Sequence, residues 1–126
     1  MNIDDTRPRP RVLIVDDNIG MLETLTDIAQ ASGFDIDTTT DGAGTDRLMG
    51  THHYHVAVFD IVLPDTTGVE LARRARTRYP DTKVVIITAY TNSELIDEAR
   101  AENVTEVLFK PIEPSRLLDV LRRLTR

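Results

Sequence analysis

Short apolar segments alternate along the chain with segments in which apolar residues recur at every third or fourth position. The apolar segments predict strands at residues 12–15, 34–39, 55–59, 83–87 and 105–109. The amphipathic segments predict helices at residues 18–32, 42–49, 68–78, 92–102 and 114–125. Five repeats of a strand followed by a helix are typical of a parallel sheet that is covered by helices on both faces.

The composition of each strand predicts its place in the sheet. Residues 12–15, 56–59 and 84–87 are apolar without alternation, as expected for strands that are buried on both faces. Residues 34–38 alternate, and residues 104–107 mix polar and apolar side chains, so these two segments are predicted to be the edge strands. With right-handed crossovers, we predict an α/β, flavodoxin-like, doubly wound sheet of five parallel strands in the order 2-1-3-4-5, with five helices.

Several residues mark the expected ends of the helices. Three residues that tolerate a left-handed backbone follow predicted helices, namely Gly33, Gly50 and Asn103. Two pairs have the spacing of a capping box, Thr67 with Glu70 and Thr91 with Glu94. Asp17 or Asn18 is expected to cap the first helix. The helix-capping and helix-ending residues therefore agree with the helices predicted from the pattern of apolar residues.

Composition and charge limit the kinds of site and partner that the chain can have. Residues 1–10 contain two acids and two prolines and are predicted to form a flexible tail, so that one folded domain spans residues 11–126. The absence of cysteine excludes disulfides, thiol nucleophiles and cysteine-bound metals. Fifteen basic against twenty-one acidic residues give a net charge of −6, which favours a cation or a basic protein surface over nucleic acid. We expect a cytoplasmic protein that binds neither nucleic acid nor membranes directly.

Polar residues follow four of the five predicted strands. Asp16 and Asp17 follow the first strand, Asp60 the third, Thr88 the fourth and Lys110 the fifth. Each has a local explanation as a helix cap, a turn residue or a solvated side chain. Those explanations do not account for polar groups at the same end of four apolar strands. Because the carboxyl ends of parallel strands meet at one edge, the joint pattern indicates a site.

The residue types at this edge indicate the chemistry of the site. Three crowded carboxylates, on Asp16, Asp17 and Asp60, repel one another unless a cation lies among them. Oxygen ligands without histidine or cysteine suit Mg²⁺. The Lys110 ammonium and the Thr88 hydroxyl complement the oxygens of a phosphoryl group. A carboxylate can accept such a group, and Asp60, after the central strand, is the best placed of the three.

With these motifs, the chain resembles the receiver domain of bacterial two-component response regulators over residues 11–126. The motifs that carry the resemblance are Asp16-Asp17, residues 60–68 (DIVLPDTTG), Thr88-Ala89 and Lys110-Pro111. The resemblance implies that Asp60 accepts a phosphoryl group from a phosphohistidine of a sensor kinase or of a phosphotransfer protein. Such a domain is a switch rather than a turnover enzyme, and it acts on an output partner or on a fused output domain.

The resemblance also implies roles for the other residues of the motifs. Asp17, Asp60 and the backbone carbonyl of Val62 would bind Mg²⁺, with Asp16 acting largely through water. Thr88 and Lys110 would contact the phosphoryl oxygens. Two other functions stay open from the residues: a phosphorylation-independent interaction module, and a small Mg²⁺-dependent phosphatase with an aspartate nucleophile. The oligomeric state is not predicted.

One position departs from the pattern of the family. Three residues before the lysine, receiver domains usually carry a tyrosine or phenylalanine that moves inward on activation, whereas this chain has Val107. We therefore predict that phosphorylation is retained and that the read-out is altered, with Tyr90 taking a share of the packing change.

Three weaker features have simpler interpretations. Residues 42–44 (GAG) lack the third glycine of a dinucleotide fingerprint and are predicted to begin a helix. The histidines of residues 52–55 are predicted to lie in a solvated loop. The four arginines within residues 73–78 are predicted to lie on the exposed side of the third helix.

Overall fold

A computed structural model describes residues 8–89 and 94–126. The strands are β1 (Arg11–Val15), β2 (Asp35–Thr39), β3 (Val56–Asp60), β4 (Lys83–Thr88) and β5 (Glu106–Phe109). The helices are α1 (Ile19–Ala31), α2 (Gly42–Thr51), α3 (Gly68–Arg78), α4 (Glu94–Ala101) and α5 (Pro114–Leu124). All strand pairs are parallel, and the order β2-β1-β3-β4-β5 confirms the predicted topology. Within the described ranges, every helix is too short or too polar to cross a membrane.

The sheet separates two hydrophobic cores. Successive side chains of a strand point to opposite faces, so Val12 and Ile14 enter one core while Leu13 and Val15 enter the other. The first core is completed by α1 and α5, and the second by α2, α3 and α4. Burial of the central strands on both faces explains why their sequences are apolar without alternation.

The chain is held against the sheet from Arg9 onward. The Arg9 guanidinium donates to the backbone carbonyls of Gln30 (2.6 Å) and Phe34 (3.0 Å) and forms an ion pair with Asp35 (3.1 Å). The carbonyl of Pro10 accepts from the backbone N–H of Asp35 at 2.9 Å. These contacts fasten the segment before β1 to the edge of the sheet at β2.

Most of the predicted helix ends are found where the sequence places them. Asn18 caps α1 by accepting from the backbone N–H of Met21 at 3.0 Å. Thr67 caps α3 by accepting from the N–H of Glu70 at 3.2 Å. Left-handed backbone is found at Gly33 (φ 103°) and Asn103 (φ 60°), as predicted. The other predicted capping residue, Thr91, lies outside the described residues.

The prediction for Gly50 is wrong. Helix α2 continues through Gly50 to Thr51, and Gly50 does not have a positive φ. The helix instead ends when His52 takes an extended conformation, with φ −130° and ψ 148°. An extended residue terminates the helix as effectively as a left-handed one, so the chain does not need a glycine there.

Two glycines of α2 are expected to respond in opposite ways to alanine. A Cβ at Gly44 would lie 1.9 Å from Thr39 Oγ1, whereas a Cβ at Gly50 would meet no heavy atom within 4 Å. Gly44→Ala should therefore destabilise the fold by about 1–3 kcal/mol through overpacking. Gly50→Ala should stabilise it by about 0.5–1 kcal/mol, because glycine is entropically unfavourable within a helix. Urea denaturation measures both, and a shift in the same direction for both variants would contradict this account.

Three arginines of α3, Arg73, Arg76 and Arg78, are exposed as predicted, whereas Arg74 is half-buried. Arginines of this helix also make ion pairs that the sequence did not reveal. Arg73 and Arg76 lie 3.0 and 2.7 Å from the carboxylate of Glu102, which follows α4. Arg74 lies 2.8 Å from Asp46 on α2. Helix α3 is thus tied through charged side chains to both of its neighbouring helices.

The other weak features have ordinary structural roles. Gly42 begins α2, as predicted. His52, His53 and His55 are exposed, as predicted. His55 Nδ1 accepts from the backbone N–H of Arg11 at 3.1 Å and so helps to place the start of β1.

Candidate functional site

Asp16 is the buried acid of the site. It directly follows β1, and its side chain is fully buried. Its backbone N–H donates to the carbonyl of Thr39 at 3.2 Å, and its Oδ1 accepts from the N–H of Asn18 at 2.8 Å. Asn18 thus has two contacts: its side chain caps α1, and its backbone N–H holds the Asp16 carboxylate. Asp17, the next residue, is exposed.

Asp60 is the last residue of β3, the central strand of the sheet. Its side chain is 10% exposed, and its Oδ1 accepts from the backbone N–H of Val62 at 3.4 Å. Behind it, a Cβ at Gly68 would lie 2.6 Å from the Asp60 carbonyl oxygen, so only glycine allows α3 to begin this close to the strand. The loop therefore restrains the Asp60 carboxylate, and α3 begins in close contact with the Asp60 backbone.

The three carboxylates meet at the carboxyl edge of the sheet. Asp16, Asp17 and Asp60 each offer an oxygen atom, and these atoms lie within 4.8 Å of one another. They combine one fully buried, one nearly buried and one exposed acid. A hard cation that prefers oxygen ligands, such as Mg²⁺, fits this donor set.

Lys110 supplies the positive charge of the site. Its Nζ lies 2.7 Å from Asp16 Oδ2 and donates to Asp60 Oδ2 at 3.0 Å. The Lys110 ammonium forms an ion pair with Asp16 Oδ2. A carboxylate oxygen has two lone pairs, so this buried oxygen can also face a cation at the site.

Burial and charge shift the pKa values of the two groups in contact. Burial raises the pKa of the Asp60 carboxyl above its usual range, and the charge of Asp16 adds to this rise, while the Lys110 hydrogen bond opposes it. Burial works to lower the pKa of Lys110, but its contacts with Asp16 and Asp60 outweigh burial and raise it. The ammonium therefore stays charged, while the Asp60 carboxylate lies in surroundings that disfavour its negative charge.

Thr88 and Val62 lie beside this cluster. Thr88 ends β4, is fully buried, and accepts at its carbonyl from the backbone N–H of Lys110 at 2.8 Å. Its backbone therefore helps to position the lysine. Val62 contributes a backbone N–H to Asp60, while the residue is 43% exposed.

The unusual Val107 lies on β5, where it is paired with Ile86 and half-buried against the second core. Leu95 of α4 and Val104 also pack against this core. An aliphatic side chain at position 107 offers no hydroxyl and no ring to the core. Tyr90, which we predicted to share the packing change, lies outside the described residues.

One residue near the site was not singled out from the sequence. Asp65, in the loop between β3 and α3, accepts from the backbone N–H groups of Gly42 (2.8 Å) and Ala43 (3.1 Å) at the start of α2. The Pro64-Asp65 pair indicates a turn, but nothing local indicates a bond to residues 23 positions away.

Comparisons with known proteins agree with this geometry. The family described as the response regulator receiver domain matches residues 12–122. The transcriptional regulatory protein TctD of Salmonella typhimurium is 33% identical over 118 residues, covering 92% of this chain and 52% of TctD, so the chain spans about half the length of that relative.

The fold is similar to CheY4, a chemotaxis response regulator of Vibrio cholerae, with a TM-score of 0.86, 28% identity, and coverage of 93% of this chain and 99% of CheY4. It is also similar to a CheY-like receiver domain protein of Methanospirillum hungatei, with a TM-score of 0.88, 26% identity, and coverage of 94% and 95%. The acid cluster, the strand order and these matches together show that the chain belongs to the response regulator receiver domain family.

Proposed function

We propose that Asp60 accepts a phosphoryl group from the phosphohistidine of a sensor kinase or phosphotransfer protein, in a reaction that depends on Mg²⁺. As a receiver domain, the chain is a phosphorylation-activated signalling switch. The observation that carries the proposal is the meeting of Asp16, Asp17 and Asp60 within 4.8 Å, with Lys110 bridging two of them.

The residues of the site would have different roles in phosphoryl transfer. An Asp60 carboxylate oxygen forms the bond to phosphorus while the bond from phosphorus to the donor imidazole nitrogen breaks, and its electron pair stays on that nitrogen. The Lys110 ammonium lies beside Asp60 and would bind an oxygen of the phosphoryl group. The Thr88 hydroxyl would bind another.

The proposal assigns the metal ligands to the acid cluster. Asp17, Asp60 and the carbonyl of Val62 would hold Mg²⁺ directly, and the buried Asp16 would act through water. When bound, Mg²⁺ would neutralise the carboxylates and attract the oxygens of the phosphoryl group. The chain would then be ready to receive a group that carries about −2 charge.

The surface around the site supports a protein as the phosphoryl donor. The large apolar side chains that are most exposed among the described residues are Ile19 (61%), Val62 (43%) and Phe109 (41%). Each belongs to a segment that also carries a site residue, Asp17, Asp60 or Lys110. Apolar side chains exposed around a polar centre are typical of protein interaction sites.

Incubation of the chain with acetyl phosphate and Mg²⁺ tests the proposal. We expect intact-mass spectrometry to show the addition of one phosphoryl group, and peptide mapping after borohydride reduction to place it on Asp60. No modification would favour an interaction module that signals without phosphate. Sustained turnover of a small phosphate ester, lost in Asp60→Asn, would favour a phosphatase.

The read-out is expected to reach α4 and β5 even without the usual aromatic residue. Val107 of β5 and Leu95 of α4 both pack against the second core, so we expect a change at the end of β5 to reach α4 through the apolar side chains of that core. We predict that beryllium fluoride, a phosphoryl mimic, shifts amide resonances at the acid cluster and also in α4 and β5. Val107→Phe should change the shifts in β5 without preventing phosphorylation. Shifts confined to the acid cluster in the natural chain would contradict this prediction.

A further inference from the structure

Asp65 fastens the loop that follows Asp60 to a different helix. This β3–α3 loop comprises residues 61–67. Near its tip, Asp65 Oδ1 accepts from the backbone N–H of Gly42 at 2.8 Å and Oδ2 accepts from that of Ala43 at 3.1 Å. Both carboxylate oxygens are thus bound by the first turn of α2, although Asp65 itself is exposed to solvent.

Helix α2 has two caps of different origin. Asp41, the residue before the helix, accepts from the N–H of Gly44 at 2.8 Å, which is an ordinary local cap. Asp65 takes the N–H groups of Gly42 and Ala43, which Asp41 does not reach. Of these two acids, only Asp65 belongs to the β3–α3 loop, so its contact restrains that loop as well as the helix.

The fit between the loop and α2 is close. A Cβ at Gly42 would lie 2.6 Å from Thr66 Cγ2 and 3.3 Å from Asp65 Oδ1. Glycine at this position allows the tip of the loop to approach the helix backbone. The contact is therefore built from both sides, with a carboxylate on the loop and a glycine on the helix.

The loop transmits this restraint to its base. Leu63 donates its backbone N–H to the carbonyl of Thr66 at 3.1 Å, and Val62 pairs with Thr67 as an isolated antiparallel bridge. Gly68 closes the base by donating to the carbonyl of Ile61 at 2.9 Å. The loop is a small hydrogen-bonded hairpin, so displacement of its tip also displaces Val62, which donates to Asp60.

We propose that Asp65 is a positioning residue for the acid cluster: by clamping the β3–α3 loop to the first turn of α2, it holds the Val62 backbone in place as a ligand for the divalent cation. The inference rests on the proposed function for the identity of that ligand. The two backbone hydrogen bonds, with the one from Gly42 the larger, lower the pKa of the Asp65 carboxyl. The clamp is thus a carboxylate at neutral pH, the form that a helix N-terminus stabilises.

Titration with Mg²⁺, followed by amide resonances, compares Asp65→Ala with Asp41→Ala. Each substitution removes one acid and one cap from the same turn of α2, but only Asp65→Ala frees the loop. We expect Asp65→Ala to weaken Mg²⁺ binding about tenfold, the lower end of the range for residues that orient metal ligands. Asp41→Ala should bind Mg²⁺ like the natural chain. Asp65→Asn, which keeps one acceptor oxygen, should give an intermediate affinity.

Amide hydrogen exchange without Mg²⁺ provides a second readout. Exchange at Val62 and Leu63 should accelerate in Asp65→Ala and not in Asp41→Ala. At saturating Mg²⁺, the rate of modification by acetyl phosphate should return to that of the natural chain, because Asp60 is unchanged. Equal losses of Mg²⁺ affinity in the two alanine variants, or unchanged exchange at Val62, would overturn the proposal. If Asp65→Ala weakens Mg²⁺ binding and accelerates exchange while Asp41→Ala does neither, but the natural chain is never phosphorylated, the positioning role stands and the proposed function fails.

Discussion

Asp60→Asn is expected to abolish modification of the chain by acetyl phosphate in the presence of Mg²⁺. The amide has nearly the shape of the carboxylate but lacks the anionic oxygen that would form the bond to phosphorus. Loss of one of the clustered charges should also weaken binding of the cation. Intact-mass spectrometry should show the phosphoryl adduct falling to background. Asp119→Asn, which makes the same charge change at a side chain that is 72% exposed on α5, is the control and should be modified normally.

The same variant should fold normally without Mg²⁺. Burial raises the pKa of the Asp60 carboxyl, so its surroundings favour a neutral group over a charged one. A neutral amide of the same size is therefore expected to leave the thermal midpoint unchanged or to raise it. A folded Asp60→Asn protein that still gains one phosphoryl group would show that another residue is the acceptor.

Lys110→Ala is expected to cause the largest loss of stability among the changes at the site. Lys110 is the cation that lies against both the fully buried Asp16 and the nearly buried Asp60. Removing one partner of a buried ion pair leaves the other charges uncompensated, at a cost of about 3–5 kcal/mol when the pair is fully buried. Because the Lys110 side chain is 22% exposed, we expect a smaller loss, about 2–4 kcal/mol in urea denaturation without Mg²⁺.

Mg²⁺ should restore part of this loss. A cation that binds only the folded state adds about 2.7 kcal/mol at a hundred times its dissociation constant. We expect Mg²⁺ to stabilise Lys110→Ala at least as strongly as the natural chain, because it replaces the missing positive charge. The other lysine of the chain, Lys83, supplies the control: its ammonium donates to the backbone carbonyl of Leu124 at 3.2 Å. Equal losses for Lys83→Ala and Lys110→Ala would contradict a special electrostatic role for Lys110.

The fold could be predicted in detail because its signals are local. Residues 12–15 of β1 are apolar at every position because both faces of the sheet are covered, and the sequence shows this directly. The positions of β2 at the edge of the sheet and of β1 inside it followed from the mixed composition of residues 34–38 and from the handedness of the crossovers. The error at Gly50 arose because either an extended or a left-handed residue can end a helix.

The clustering of the site residues could also be anticipated. In a parallel sheet, residues that directly follow different strands reach the same edge, so Asp16, Asp60 and Lys110 needed only the topology to be placed together. Their roles as metal ligand, phosphoryl acceptor and phosphoryl ligand stay predictions. The degree of burial of each carboxylate, which sets how strongly its charge is opposed, was visible only in the folded chain.

The amino-acid order was sufficient for the strand order and for the edge at which the acids gather, since both follow from periodicity and parallel topology. The clamp of Asp65 on α2 and the arginine pairs between α3 and its neighbours required the folded molecule. These contacts join segments that are distant in the chain, and they form only when loops and helices have been brought to hydrogen-bond distance by the packing of both cores. Local sequence patterns do not predict such contacts, because an acidic or basic residue can equally well be solvated as form a hydrogen bond or an ion pair.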